Sequence, residues 1–476
     1  MTGPVASDSD SPTAYPVYAR TGRLDDLRST EYSYLDESGH IYLDYTGSGL
    51  PSRYQLRAHA DRVSGGCFGN PHSENPTSSA STVLVERTRE AILSYFNASP
   101  DEYAVVFTSN ATGACRIVGE SYPFTPGSRL VLTADNHNSV NGIREYARAK
   151  GATVSAVRLT PPELRVTDED LSAALGTSGR GLFAFPAQSN FSGVRHPLSW
   201  VSVAQSRGYD VLLDAAAYVP ANRLDLSEIH PDFVPVSWYK VFGYPTGVGC
   251  LIARREALAR LRRPWFSGGT IKAVSVLGDW HVAAEDEAAF EDGTLNFLSI
   301  PDVEVGLRWV TDIGVDVVHD RVTALTGRLL DRMAESRHSG GAPMFRVYGP
   351  RRTYRRGGTI AFNFLSPDGR VVDERAVARA AAAAGISLRT GCFCNPGAGE
   401  GAFAIDEELL KGPFAHPSLS LDDYLHALGL PSGGAVRVSF GIASNTADLD
   451  GFLRFAMENY QDRMPDDTGL GPRLRC

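Results

Sequence analysis

Lysine is rare in this chain, and one lysine stands where a reactive amine would be useful. The chain contains 46 Lys and Arg residues, of which four are lysines. Lys240 follows a short apolar run, residues 233–237, and precedes a glycine-rich turn, residues 243–249. Arginine can replace lysine where only a charge is needed, but its guanidinium cannot form a Schiff base. Lys240 is therefore a candidate covalent anchor for a cofactor that carries a carbonyl group.

The strands and helices that must position this lysine are indicated by apolar runs that alternate with helix-length segments from about residue 80. Apolar runs separated by helix-length segments occur at 104–108, 129–134, 181–186, 210–214, 233–237 and 249–253. Such runs indicate strands that are buried on both faces, so they predict a mostly parallel sheet covered by helices.

After about residue 312 the pattern changes to that of a smaller α+β domain. Apolar segments at 358–364, 386–389 and 436–440 surround an alanine-rich helix at 373–384, and a closing helix follows. The predicted organisation has four parts. They are an N-terminal arm, partly mobile, at 1–30, a large domain at 31–311, a small domain at 312–464 and a flexible tail at 465–476.

Unusual polar residues collect at the carboxyl ends of the predicted strands. Ligands of open α/β sheets bind at these ends. Residues 108–113 and the sequences around His137, Asn190, Asp214 and Ser237 each follow a predicted strand. Taken singly, each has an ordinary explanation as a helix cap, a solvated histidine or a turn residue. Taken together, they indicate one site.

These residue types fit pyridoxal 5′-phosphate. The helix N-terminus at Thr112 would bind the phosphate, and Ser237 would add a hydroxyl. Asp214 would keep the ring nitrogen protonated by a charge-assisted hydrogen bond, which makes the ring an electron sink. His137 would stack on the ring and relay protons, and Lys240 would carry the Schiff base.

Three motifs resemble those of a known family. Residues 237–247, Ser-Trp-Tyr-Lys-Val-Phe-Gly-Tyr-Pro-Thr-Gly, resemble the lysine motif of class V aminotransferase-fold enzymes. Residues 69–73, Gly-Asn-Pro-His-Ser, and 389–397, Arg-Thr-Gly-Cys-Phe-Cys-Asn-Pro-Gly, look most like the aminotransferase-like domain of molybdenum cofactor sulfurases. Cysteine desulfurases are the wider group, and the resemblance covers roughly residues 40–460. It implies an α/β protein of the pyridoxal-phosphate-dependent transferase fold type I. That fold has a large domain with a mostly parallel seven-stranded sheet and a smaller α+β C-terminal domain.

The resemblance also implies roles for individual residues. Lys240 would be the Schiff-base lysine and general base, Cys394 would form a persulfide, and His137 would complete the catalytic group. Arg437 would bind the substrate carboxylate, with Arg389 close by. Cofactor-binding residues would be Lys240, Asp214, His137, Asn190, Ala111, Thr112, Ser237, Tyr239 and Thr270, with Thr270 reaching in from the second subunit of a homodimer.

The implied reaction converts L-cysteine to L-alanine and passes the persulfide sulfur to an acceptor protein or small molecule. Two departures from the family pattern bear on this. Tyr239, after Trp238, stands where desulfurases usually have histidine, which alters proton delivery to the substrate sulfur. Full-length eukaryotic molybdenum cofactor sulfurases carry a further C-terminal domain, which this chain is expected to lack.

Other functions fit the same residues. Another class V reaction, as a C–S lyase, aminotransferase, epimerase or kynureninase-like hydrolase, would keep Lys240. A sulfur-carrier scaffold that mainly docks an acceptor would use Cys394. Cys392 and Cys394 could instead be structural, or half of a metal site, although no partner pair of ligands lies at metal-binding spacing. A dinucleotide-binding oxidoreductase is disfavoured, since no Gly-x-Gly-x-x-Gly follows the first strand.

The bulk properties exclude several classes of protein. A net charge of −9 argues against general affinity for nucleic acid or anionic membranes. No segment has the ~18 apolar residues of a membrane span, and the N-terminus lacks the apolar core of a signal peptide. Six cysteines in a chain this long do not make a disulfide framework, so the cytoplasm is expected.

Overall fold

A computed structural model describes residues 16–71, 73–405, 408, 410, 422–423, 425, 430, 433–466 and 468–473. The strands are β1 Ile41–Tyr42, β2 Tyr103–Thr108, β3 Arg129–Thr133, β4 Thr153–Val157, β5 Gly181–Pro186, β6 Tyr209–Asp214, β7 Phe233–Ser237, β8 Gly249–Arg254, β9 Ile271–Ser275, β10 Trp280–Ala283, β11 Phe345–Tyr348, β12 Thr359–Phe364, β13 Ile386–Ser387, β14 Arg389–Gly391 and β15 Ala435–Ser439.

Helices alternate with these strands through most of the described chain. They are α1 Pro16–Ala19, α2 Arg23–Glu31, α3 Tyr34–Glu37, α4 Arg53–Gly65, α5 Pro76–Tyr95, α6 Ala111–Ser121, α7 Asn138–Asn141, α8 Ile143–Ala149, α9 Asp168–Leu175, α10 Trp200–Gln205, α11 Trp238–Phe242, α12 Arg255–Arg260, α13 Pro301–Ile313, α14 Val315–Glu335, α15 Glu374–Ala383, α16 Pro396–Ala402 and α17 Thr446–Tyr460, with a 3-10 turn at Asp286–Ala289. None of these helices is both long and apolar enough to cross a lipid bilayer.

The large domain contains a seven-stranded sheet in the order β2-β8-β7-β6-β5-β3-β4. β8 runs antiparallel to β2 and β7, and the other neighbours pair in parallel. Apolar side chains pack on both faces of the sheet and form two separate clusters. This confirms the predicted mostly parallel sheet with helices on both faces.

The edge strand β4 was missed by the sequence prediction. Its residues Thr153 to Val157 are mostly half-buried or exposed, and polar Thr153 and Ser155 interrupt its apolar pattern. β4 pairs with β3 only and most of its residues are partly exposed, so its sequence lacks the continuous apolar run of the other six strands.

The small domain contains an antiparallel sheet in the order β11-β12-β15-β14. Its apolar face packs against α14, α15 and α17 in a further core. Leu24 and Leu35, from α2 and α3, belong to that core. Near the predicted boundary at residue 312, Val310 packs in the core of the large domain and Ile313 in that of the small domain. The boundary itself stays a prediction.

Part of the predicted flexible tail, 465–476, contacts the small domain. Arg473 forms ion pairs with Asp373, Glu374 and Asp422, and its side chain is 10% exposed. The described part of the segment is therefore anchored beside α15, whose first residue is Glu374. Residues 1–15 of the predicted arm lie outside the described residues.

A buried ion pair ties the N-terminal helices to the small domain. Arg28 of α2 donates to both carboxylate oxygens of Asp448 of α17, at 3.0 and 2.6 Å, and both residues are buried. We expect Arg28→Met to lower the free energy of unfolding by about 3–5 kcal/mol, because it leaves a buried carboxylate without its partner. Urea unfolding followed by circular dichroism measures this change.

Arg53→Met is the matched control for that experiment. Arg53 and Glu37 are 3.4 Å apart, with side chains 41% and 63% exposed. Exposed ion pairs contribute below about 1 kcal/mol, so this change should be small. Equal destabilisation by the two substitutions would contradict the importance of the buried pair.

Candidate active site

A cavity of about 180 Å³ lies at the carboxyl ends of the central strands. It forms where β2, β5, β6 and β7 end and the next helices or loops begin. The lining residues are Asn110, Ala111, Thr112, Cys115, His137, Ser139, Pro186, Gln188, Asn190, Asp214, Ala216, Ala217, Ser237, Tyr239 and Lys240. Eight residues that the sequence predicted as cofactor ligands therefore share one cavity.

Lys240 and Asp214 supply the charges of this cavity. Lys240 lies on α11, directly after β7, and Asp214 is the last residue of β6. Burial lowers the pKa of the Lys240 amine, the nearby Asp214 carboxylate opposes that shift, and Arg437 and Arg389 add to it. Asp214 Oδ1 accepts a hydrogen bond from the Ala216 amide at 3.0 Å. A buried amine with a lowered pKa and a fixed carboxylate are thus available in one site.

The first turn of α6 forms a polar cradle. Asn110 caps the helix by accepting from the Gly113 amide at 3.0 Å, and the Ala111 amide donates to Ser237 Oγ at 2.9 Å. Gly249 faces this turn, since a Cβ there would lie 2.6 Å from Asn110 Cα. Helix N-termini with nearby hydroxyls bind phosphate groups. The donor set therefore fits the phosphate of the predicted cofactor.

His137 is joined to this cradle through Ser139. The Ser139 amide donates to His137 Nδ1 at 3.1 Å, so Nδ1 is an acceptor and the neutral ring carries its proton on Nε2. Ser139 Oγ lies 2.9 Å from the same nitrogen and 2.7 Å from Thr112 Oγ1. Burial is the main cause that lowers the pKa of His137, and the positive charge of Lys240 adds to it. Ser139 was missed by the sequence prediction, because a serine two residues after His137 is an ordinary helix-start residue.

Gln188 stands at the end of a predicted strand, but no role in the site was predicted for it from the sequence. It is 5% exposed, lines the cavity, and its Oε1 is buried without a hydrogen-bond partner within the described part of the chain. Buried polar atoms are normally hydrogen-bonded, so an unpaired one in a cavity points to a polar group of a ligand. The pyridine hydroxyl of pyridoxal phosphate is such a group. The signal was present in the sequence, since Gln188 follows a predicted strand.

Asn190 connects the cavity to the loop that carries Cys394. Its Nδ2 donates to the Phe393 carbonyl at 2.9 Å, and its Oδ1 accepts from Asn395 Nδ2 at 2.8 Å. Its own carbonyl accepts from Arg437 Nη1 at 3.1 Å. The predicted cofactor residue Asn190 therefore also positions the thiol loop.

Cys394 is a free, exposed thiol on a constrained loop. Phe393 and Cys394 both have left-handed backbones, with φ of 56° and 54°, a conformation that costs non-glycine residues about 1–3 kcal/mol each. The Asn138 amide, next to His137, donates to the Cys394 carbonyl at 2.8 Å. These bonds hold the thiol beside the cavity, although Cys394 does not line it.

Arg437 and Arg389 lie on the adjacent strands β15 and β14 and also stand outside the cavity lining. Arg437 is buried, and its guanidinium lies 4.8 Å from the centre of the Phe393 ring. Both arginines interact electrostatically with Lys240 and with Cys394. The predicted substrate arginines therefore lie close enough to the amine and to the thiol to interact with both.

Thr270 is not near the cavity within one chain. It is 2% exposed, and its Oγ1 donates to the Ser267 carbonyl at 2.8 Å. Trp238 does not line the cavity either; it is fully buried and stacks on Phe242 with ring centres 5.9 Å apart. Tyr239 lines the cavity, as predicted. No group of three or more His, Cys, Asp and Glu side chains is arranged as a metal site among the residues that the structure covers.

Comparison with known proteins decides the family. The model of the family described as aminotransferase class V matches residues 41–452. The chain belongs to this family. Among class V relatives it is similar to the molybdenum cofactor sulfurase of Arabidopsis thaliana, with 36% identity over 94% of this chain and 59% of the relative. The human molybdenum cofactor sulfurase is 35% identical over 92% of this chain and 51% of its own length.

The chain therefore spans about half to three fifths of the length of these curated relatives. The solved structure of a cysteine desulfurase from Thermococcus onnurineus NA1 has the same fold, with a TM-score of 0.74 and 23% identity. That likeness covers 91% of this chain and 97% of the other. The predicted fold class, a seven-stranded α/β domain with a smaller C-terminal domain, is thereby confirmed.

The lowered pKa of Lys240 has a measurable consequence for cofactor uptake. Only the neutral amine can attack an aldehyde carbonyl, and a pKa below the ordinary 10.5 makes that form abundant at lower pH. We expect uptake of pyridoxal 5′-phosphate by the apoprotein to accelerate as pH rises and to level off below pH 10.5. Absorbance after rapid mixing measures the rate. A rate that keeps climbing through pH 10.5 would contradict the lowered pKa.

Proposed function

We propose that this chain is a pyridoxal-phosphate-dependent cysteine desulfurase and sulfurtransferase of the molybdenum cofactor sulfurase type. It would convert L-cysteine to L-alanine and pass sulfur from Cys394 to an acceptor protein or small molecule. One observation carries the proposal. Asn190 bonds the Cys394 loop while it lines the cavity that contains Lys240 and Asp214. The cavity with the anchoring amine and the loop with the free thiol are therefore connected through one side chain.

The residues present fit the cofactor. Lys240 would hold it, Asp214 would pair with the ring nitrogen, and the α6 N-terminus with Ser237 would bind the phosphate. The side-chain oxygen of Gln188, Oε1, which has no partner among the described residues, would accept a hydrogen bond from the ring hydroxyl. When bound, pyridoxal phosphate withdraws electrons from the bonds at the α-carbon of an amino acid.

The chain's own side chains would perform the remaining steps. Arg437 would bind the substrate carboxylate, which fixes the α-carbon relative to Lys240. The Lys240 amine, whose pKa is lowered by burial, would accept the α-proton at Nζ. His137, neutral with its proton on Nε2, and the Tyr239 hydroxyl are the cavity groups available to move protons.

Sulfur transfer would then occur at Cys394. Its thiolate would attack the substrate sulfur, so that a sulfur–sulfur bond forms as the carbon–sulfur bond breaks. The electron pair of the broken bond stays with the carbon fragment, which takes up protons and leaves as alanine. The exposure of Cys394 then allows an acceptor to reach the persulfide.

Product analysis tests this proposal against the nearest alternative. The protein loaded with cofactor is incubated with L-cysteine, and amino acids and keto acids are measured. A desulfurase gives alanine, whereas a C–S lyase gives pyruvate and ammonia. Pyruvate without alanine would overturn the desulfurase assignment and leave the cofactor site intact.

We also propose that the chain acts as a homodimer. The β9–β10 hairpin exposes apolar side chains at and beside its tip, with Val276 89%, Leu277 102% and Trp280 53% exposed. Such an exposed patch is unusual on a monomer. Thr270 directly precedes β9, so a second copy docked on the hairpin would bring Thr270 towards its partner.

Sedimentation of the purified protein should show a dimer, and Leu277→Asp should weaken that dimer. A monomer in both the unchanged protein and the variant would refute this assembly.

The cytoplasm is the proposed location. Cys394 must be a reduced thiol to act, and a reducing compartment keeps thiols in that state.

A further inference from the structure

Arg389 and Arg437 share one carboxylate, that of Asp44. Arg389 donates through Nε and Nη2 to Asp44 Oδ2, at 3.0 and 2.7 Å. Arg437 Nη2 donates to Asp44 Oδ1 at 2.9 Å. Asp44 is 8% exposed, so these charge-assisted bonds form largely out of water. The cluster has two positive charges and one negative charge, hence one net positive charge.

The backbone is built to hold this cluster. Arg389 and Arg437 are directly opposite each other on β14 and β15, and Asp44 bridges to Ser439, also on β15. Gly47 leaves room for the contact, because a Cβ there would lie 2.5 Å from Asp44 Oδ2 and 2.7 Å from Arg389 Nη2. The segment around Asp44 and the strands β14 and β15 thus hold the three charged side chains together.

The two arginines differ in what they can still bind. The Arg437 side chain is 3% exposed, bonds the cavity residue Asn190 through Nη1, and has a buried Nε that lacks a partner in the described chain. The Arg389 side chain is 49% exposed, and its bidentate bond to Asp44 occupies Nε and Nη2. Arg437 therefore retains a donor for a buried ligand, whereas the fork of Arg389 is already engaged.

We propose that Asp44 determines substrate specificity by engaging Arg389, so that Arg437 alone meets the substrate and amino acids with a single carboxylate are selected. That the substrate is an amino acid follows from the proposed function. A second carboxylate would add a negative charge close to Asp44, and the two arginines of this described cluster are already engaged. Both arginines interact electrostatically with Cys394, towards which a substrate side chain must point.

L-Alanine and L-aspartate test this selection. They differ by one carboxylate, which in aspartate occupies the place of the cysteine sulfur. Calorimetric titration of the cofactor-loaded protein gives both affinities. The unchanged protein should prefer alanine. Asp44→Asn removes the negative charge and frees Arg389, so the affinity ratio should shift towards aspartate by about tenfold or more.

Two further variants separate specificity from loss of structure. Asp44→Glu keeps the charge and should keep the preference for alanine. Asp44→Asn with Arg389→Gln removes the freed cation, so the gain for aspartate should disappear. An unchanged ratio in Asp44→Asn, or a gain that survives in the double variant, would overturn the proposal.

A last variant covers the case in which Asp44→Asn fails to fold. Arg389→Gln alone removes one of the two positive charges that compensate Asp44, so the aspartate-to-alanine ratio should not rise and should shift further towards alanine. A ratio that rises would show that the charge of Asp44 does not exclude the second carboxylate, which refutes the proposal. Binding needs no turnover, so a failure of the proposed desulfurase reaction would show separately, as absence of alanine from L-cysteine.

Discussion

Lys240→Arg is expected to lower the rate of alanine formation from L-cysteine by at least about a thousandfold. Arginine keeps the positive charge beside Asp214 but offers neither a nucleophilic amine nor a base at neutral pH. The side chain lies in the cavity, and its amine interacts electrostatically with Asp214, Arg437 and Arg389. If Lys240 acted only through its positive charge, Lys240→Arg would form alanine at nearly the normal rate.

Borohydride reduction supplies a second measurement for the same variant. Reduction should fix pyridoxal phosphate to Lys240 in the unchanged protein and leave the variant unlabelled. Lys150→Arg is the matched control, since Lys150 Nζ donates to the carbonyls of Glu120 and Tyr122, far from the cavity lining. Alanine formation in Lys240→Arg that equalled the control would remove Lys240 from the mechanism.

Cys394→Ser is expected to abolish persulfide formation and to lower alanine formation by a factor of at least about 10³. A serine hydroxyl is nearly the same size but stays protonated, so it cannot attack the substrate sulfur. The backbone of the loop is held by Asn138 and Asn190 and should not change. Cofactor content, measured by absorbance, should therefore be normal.

Cys67→Ser is the control for that variant, because Cys67 is also a free, exposed cysteine. It should form alanine at the rate of the unchanged protein. If Cys394→Ser kept full turnover and released pyruvate, the C–S lyase alternative would be correct and Cys394 would be structural. Rapid quenching of the reaction, followed by chromatography of alanine and pyruvate, distinguishes these outcomes.

Six of the seven strands of the large sheet and much of the cavity could be predicted from the sequence. Buried parallel strands are continuous apolar runs, so their ends, and the polar residues placed there, could be located without the structure. Lys240, Asp214, His137 and Ser237 were predicted together on this basis, and they line one cavity. Their individual roles stay predictions.

Contacts between distant segments could not be predicted in this way. Asp44 precedes a turn, where an aspartate is common, and its partner Arg389 is 345 residues away. The β9–β10 hairpin was missed because its exposed apolar residues resemble no buried strand. The bonds from Asn190 to the Cys394 loop likewise depend on how two domains meet. Each of these features depends on contacts between residues that are distant in sequence, and local sequence patterns do not encode such contacts.

Mass spectrometry of the Cys394 peptide tests the central claim most directly. The cofactor-loaded protein is exposed to L-cysteine for a single turnover, quenched with an alkylating agent and digested. The account predicts one added sulfur atom on Cys394, formed in equal amount with alanine, and none on Cys67. Alanine formed without added sulfur on Cys394, or sulfur added equally to Cys67, would contradict it.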